Sequence, residues 1–290
     1  MQPSDEDWML RAIELGRRGR PAPNPHVGAV LTRAGRFISG GHHEKAGTAH
    51  AEVNAIANAQ GDTRGTTLYV TLEPCNHHGR TGPCTEAILK AGITRVVVGA
   101  VDPNPHVRGG GIERLRAAGV EVTPHVMAAS AEELVAPWAK VQTTGMPYVL
   151  LSTGPGSRVL PPEMDALWIG TEEMDATLSP SAPLTVVASP GTELLRRVAR
   201  RSTSDRWLVF CPEARHAEYV LATGAAAITV VPLPYQDGTP LPLRLALREL
   251  PRHGVVTLFV DAEPLLEQGL CDEGLVDGHL ERQLDRKVGT

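Results

Sequence analysis

Residues 71–84 read Thr71-Leu72-Glu73-Pro74-Cys75-Asn76-His77-His78-Gly79-Arg80-Thr81-Gly82-Pro83-Cys84, and residues 50–52 upstream read His50-Ala51-Glu52. Together they offer one imidazole, two thiolates and a carboxylate with no ligating duty. His50, Cys75 and Cys84 suit Zn²⁺ in a tetrahedral site whose fourth position stays open to water. The metal acidifies such a water toward neutrality. Glu52, two residues beyond His50, can take the proton and pass it on, which a ligand cannot do because its lone pair is in use.

These are the parts of a hydrolytic zinc deaminase, whose general form is H-x-E followed by P-C-x-x-C. Here the second cysteine comes nine positions after the first. A His-Ala-Glu triplet by itself is weak, but both Pro-Cys elements follow it in order. A closed structural zinc site with His77 or His78 as fourth ligand is the competing reading, and an unligated Glu beside the His argues against it.

Composition bounds the rest. A chain of 290 residues is long enough for two modest cores. A net charge of −5 and only 4% aromatic residues argue against a broad nucleic-acid face. No apolar run reaches the length of a membrane span. The acidic, polar start from Met1 to Asp7 is wrong for a secretory signal, and Cys211 with Cys271 makes an unconvincing disulfide, so a cytoplasmic address is expected.

Strand and helix patterns alternate through the first half. Ser4 with Asp7 offers a helix N-cap ahead of Trp8, Ala12, Ile13 and Leu15, and Gly19 and Pro21 stop that helix. Strands are expected at 27–31 and 36–39, joined at Ala34-Gly35, then at 67–70, 95–101 and 121–124. Helices are expected from His50 through Ile56, at 85–91 and at 111–118. The pattern predicts a layered α/β domain with a largely parallel sheet and the metal at the sheet's edge, where helix N-termini favour thiolates.

Four ordered motifs, Pro23-Asn24-Pro25-His26-Val27-Gly28, His50-Ala51-Glu52, the 71–84 run and Asp102-Pro103-Asn104-Pro105, resemble the bacterial riboflavin-biosynthesis deaminase/reductase family. The resemblance implies a cytidine-deaminase-like three-layer αβα domain over 1–145, followed by a truncated dihydrofolate-reductase-like α/β domain over 146–290. It implies Zn²⁺ on His50, Cys75 and Cys84, with Glu52 as proton shuttle. The implied substrate contacts are Asn24, His43, Ala51, His77, Arg80, Asp102 and Asn104. Arg80 suits a phosphate as a bidentate cation. The implied partner is a small phosphorylated aminopyrimidine, with no nucleic acid and no membrane, and the implied assembly is a homo-oligomer. Where the family often has Gly-Lys-Gly, this chain has Gly109-Gly110-Gly111.

Pro147-Tyr148-Val149-Leu150-Leu151 begins as the family's reductase does, but Ser152-Thr153-Gly154-Pro155-Gly156-Ser157 replaces its lysine strand, turn and helix. Asp261-Ala262-Glu263 stands where the family has Glu-Gly-Gly, adding Cβ atoms and a negative charge where a cofactor must approach. The second half is therefore expected to be non-catalytic and to bind no cofactor. Arg196, Arg197, Arg200 and Arg201 read as a solvated helix face. A bifunctional enzyme with a rebuilt reductase site and a non-catalytic scaffold remain as alternatives.

Overall fold

Helix α1 (Asp5–Gly16) starts at a capping box: Ser4 Oγ accepts from the Asp7 amide at 3.2 Å, and the Asp7 carboxylate accepts from the Ser4 amide at 2.8 Å. The structure, a computed structural model, describes residues 2–77, 82–103, 110–153, 164–171, 183–201, 206–224, 228–261 and 263–281. The chain divides into two units, Met1–Thr144 and Gly145–Thr290.

In the first unit β1 (Gly28–Arg33) and β2 (Arg36–His42) form a hairpin through Ala34 and Gly35, both at positive φ as a tight two-residue turn requires. Helix α2 (Ala51–Asn58), β3 (Thr67–Leu72), α3 (Cys84–Lys90), β4 (Arg95–Ala100), α4 (Gly110–Ala117), β5 (Glu121–Thr123) and α5 (Ala128–Thr144) follow. The sheet order is β2-β1-β3-β4-β5. Strand β1 pairs antiparallel with both neighbours, whereas β3, β4 and β5 are parallel, so the sheet is mixed rather than largely parallel. Side chains alternate across it as the pleat demands. Val30, Tyr69 and Val97 meet α1 through Met9 and Ile13, while Leu31, Val70 and Val98 share a core with Ala55, Ile88 and Leu115 of α2, α3 and α4. Ala131 of α5 and Met9 of α1 both lie beside Gly99, which puts α5 on the α1 side. The result is the expected three-layer arrangement.

Arg95 at the start of β4 clamps α1 onto this sheet. Its guanidinium donates to both carboxylate oxygens of Asp5 at 2.9 and 2.7 Å, and the Tyr69 hydroxyl donates to the same carboxylate at 2.8 Å.

The second unit carries β6 (Tyr148–Thr153), β7 (Ala166–Ile169), β8 (Thr185–Ala188), α6 (Thr192–Arg201), β9 (Trp207–Pro212), α7 (His216–Thr223), β10 (Ile228–Leu233), α8 (Leu243–Glu249), β11 (Thr257–Asp261), α9 (Pro264–Asp272) and β12 (Gly278–Glu281). Its sheet has the order β10-β9-β8-β7-β11-β6-β12, and every pairing is parallel. Leu208, Phe210 and Leu258 enter one core and Val209 and Phe259 the other, so these strands are buried on both faces and read as continuous apolar runs.

Candidate active site

The sequence brings three ligand atoms together from three elements. His50 is the N-cap of α2, Cys84 is the first residue of α3, and Cys75 follows the end of β3. Because β3 is the middle strand, the group lies at the end of the centre of the sheet and not at its lateral edge. The ligand atoms of His50, Cys75 and Cys84 all lie within 4.8 Å of one another. His50 Nδ1 is 3.2 Å from Cys84 Sγ and 3.6 Å from Cys75 Sγ. A tetrahedral zinc with ordinary bond lengths separates nitrogen from sulfur by about 3.6 Å. The donor set and spacing therefore fit zinc. Among the described residues His77 is outside this cluster, and His78 lies outside the described residues.

Cys75 is drawn down, first by a hydrogen bond from the Cys84 thiol and then by His50, while that same bond and burial push the Cys84 thiol up. The Cys84 amide, at the N-terminus of α3, donates to Cys75 Sγ at 3.3 Å. His50 is held above its usual range by its bond to Cys75. Glu52, 3% exposed in the first turn of α2, is pushed up to about 6, chiefly by burial.

A cavity of about 220 Å³ opens beside the cluster. Of the residues singled out from sequence, Asn24, His43, Glu52, His77 and Asp102 line it together with His50 and Cys75. His43 Nδ1 lies 3.1 Å from the Ala49 carbonyl, which can only accept, so Nδ1 carries the hydrogen. Nε2 then accepts from the Asn24 amide at 3.0 Å, which orients Asn24. Burial lowers the His43 pKa and favours this neutral form. Ala51 is fully buried at the start of α2 and is not among the lining residues. Arg80 and Asn104 lie outside the described residues.

Sequence reasoning assigned no site role to the lining residues Pro25, Val27, Leu72, Glu73 and Trp138, of which Glu73 and Trp138 carry polar atoms. Glu73 sits inside the 71–84 run and was assigned no role. Trp138 belongs to α5, a helix that was not anticipated and that contains Pro137.

In the second unit Glu263 Oε1 accepts from the Thr171 amide at 2.7 Å. A Cβ on Gly170 would stand 2.7 Å from that carboxyl group. The contact joins the C-terminal ends of the parallel strands β7 and β11, the end of such a sheet where ligands bind. Of the segment 152–157, expected to replace the family's strand, turn and helix, residues 154–157 lie outside the described residues, as does Ala262.

Fold and site together define a cytidine-deaminase-like zinc-binding domain. Residues 2–100 match the family model described as the cytidine and deoxycytidylate deaminase zinc-binding region. The riboflavin biosynthesis protein RibD of Escherichia coli strain K12 is 41% identical over 152 residues, 52% of this chain and 41% of that protein. A diaminohydroxyphosphoribosylamino-pyrimidine deaminase of Buchnera aphidicola subsp. Acyrthosiphon pisum is 49% identical over 110 residues, 37% of this chain and 75% of that protein. A solved structure of Acinetobacter baumannii RibD superposes with a TM-score of 0.76 at 28% identity, covering 99% of this chain and 88% of that one. The alignment thus spans less than half the length of the Escherichia coli relative. The chain belongs to the riboflavin-biosynthesis deaminase/reductase family.

Proposed function

We propose that the first unit is a zinc-dependent deaminase of a 2,5-diamino-6-(ribosylamino)pyrimidinone 5′-phosphate, or a close relative, in riboflavin biosynthesis. The observation that carries this reading is Glu52, buried and unligated, lining the same cavity as His50 and Cys75. His50, Cys75 and Cys84 hold the metal, which when bound supplies an acidified water and a Lewis-acid contact. Glu52 takes a proton as the water oxygen adds to the amino-bearing ring carbon. It passes that proton to the ring nitrogen and then moves the second proton from the added hydroxyl to the amine, so that the carbon–nitrogen bond breaks as the ring carbonyl forms and ammonia leaves. Asn24, fixed by neutral His43, and Asp102 orient the pyrimidine, while His77, Arg80 and Asn104 contact the ribose phosphate or the ring. Zinc-loaded protein is expected to release ammonia from this substrate, and a Glu52→Gln protein that holds zinc is expected to lose most of that turnover. Equal rates in the two proteins would overturn the role of Glu52.

The second unit is, in the same proposal, a folded remnant without reductase activity. The Glu263 carboxylate on the Thr171 amide supports this, because it takes a backbone donor and adds negative charge at the strand ends where a phosphorylated cofactor would approach. Wild-type protein is expected to show no NADPH binding by fluorescence titration. The unit is retained as an assembly surface of a cytoplasmic homo-oligomer; Leu221 on α7 and Leu265 on α9, 82% and 88% exposed, support that reading. Light scattering that gave a monomer would remove it.

A further inference from the structure

The carboxylate of Glu73 lies between the metal-binding segment and the loop that brings Asp102 to the cavity. It is 6% exposed and follows directly on β3, two residues before Cys75. One oxygen, Oε1, accepts from the amides of Gly111 and Ile112 at 2.9 and 3.1 Å, in the first turn of α4. The other, Oε2, accepts from the Asp102 amide at 3.2 Å. Three backbone donors from two other segments thus converge on one buried anion, and the positive end of α4 favours that charge. The next residue adds a second fastening. A Cβ on Gly111 would fall 2.0 Å from the Pro74 carbonyl oxygen, so the chain from Glu73 to Cys75 is pressed against the start of α4. Both Glu73 and Asp102 line the cavity.

We propose that Glu73 is a positioning residue for substrate: it fixes the Asp102 segment against the segment that carries the metal ligand Cys75, and so sets the distance between the ring-binding wall and the reacting centre. The role rests on the deaminase reading for its kinetic consequence, but its structural content stands without it. The geometry also says why a carboxylate is needed. An amide at this position has one acceptor oxygen and one donor nitrogen. Glu73→Gln can keep the α4 amides satisfied or the Asp102 amide satisfied, and the remaining side meets a donor with a donor.

The test uses the zinc-loaded full chain. In Glu73→Gln, hydrogen exchange is expected to accelerate at the Asp102 amide or at the Gly111 and Ile112 amides, with zinc content unchanged. KM for the ribosylaminopyrimidinone phosphate is expected to rise roughly tenfold with kcat within about twofold, the scale of one lost charged hydrogen bond. Glu73→Asp keeps both acceptor oxygens and is expected to recover part of the KM, which also covers the case in which the glutamine variant folds poorly. Unchanged exchange at all three amides, or an unchanged KM in both zinc-loaded variants, overturns the proposal. Absence of turnover in the wild type overturns the deaminase reading, and the exchange data then still decide whether Glu73 holds the loop.

Discussion

Replacing Glu52 by Gln is expected to remove turnover and also to make the metal-free protein more stable. The side chain is 3% exposed, and burial lifts its pKa from 4.5 to about 6. That rise corresponds to roughly 2 kcal/mol of cost for holding the carboxylate charged in the fold. The sign follows from linkage: with the folded pKa above the unfolded one, stability is full below 4.5 and falls as pH rises through about 6. Glutamine has nearly the same shape and no charge to bury. At pH 7 the metal-free variant should exceed wild type by up to about 2 kcal/mol, a rise of roughly 4–8 °C in the melting temperature of a unit this size. Below pH 4.5 the two should melt together. Zinc should shrink the gap, because a nearby dication favours the carboxylate. Differential scanning calorimetry of metal-stripped protein at the two pH values reads this directly. A variant that melts below wild type at pH 7, or a gap that does not change with pH, would refute the argument that burial of charge at Glu52 is a cost borne for chemistry.

Other perturbations reach different parts of the account. Asp5→Asn should lower the stability of the first unit by about 1–2 kcal/mol at neutral pH, since it breaks a charged contact whose side chains are only 26% and 31% exposed. The Arg95 guanidinium holds Asp5 below its ordinary 3.8, so this contribution is present above that value and is lost as pH falls through the lowered one; urea melts at pH 7 and at about pH 3 should show the difference shrinking. Gly111→Ala forces a methyl to 2.0 Å from the Pro74 carbonyl, and should cost about 1–3 kcal/mol on thermal melting while also raising KM. Cys84→Ser should weaken zinc binding by more than the roughly 10–100-fold typical of outer contacts, measured by competition with a chromogenic chelator.

The metal cluster was legible because its spacing is a chemical requirement that survives any detail of packing. The strand and helix alternation of the first half was legible for a similar reason, since the apolar periods are long and the caps are strong, as at Ser4 and Asp7. Strand order was not. Nothing in the 67–72 run says that β3 is central, and its position follows from β1 turning back antiparallel beside it. Helix α5 escaped because Pro137 interrupts a weakly patterned segment, and Trp138 escaped with it. Glu73 stood in plain view within the motif, but its role depends on amides 29 to 39 residues away. The replacement at Glu263 showed a changed turn, whereas its bond to Thr171, 92 residues distant, took the structure to see.

The most direct test of the central claim measures ammonia and NADPH on one sample of zinc-loaded protein given the ribosylaminopyrimidinone 5′-phosphate. Ammonia release that does not depend on NADPH, with no NADPH consumed, is the expected result. Consumption of NADPH would contradict the reading of the second unit, and a zinc-loaded protein that releases no ammonia would contradict the substrate assignment itself.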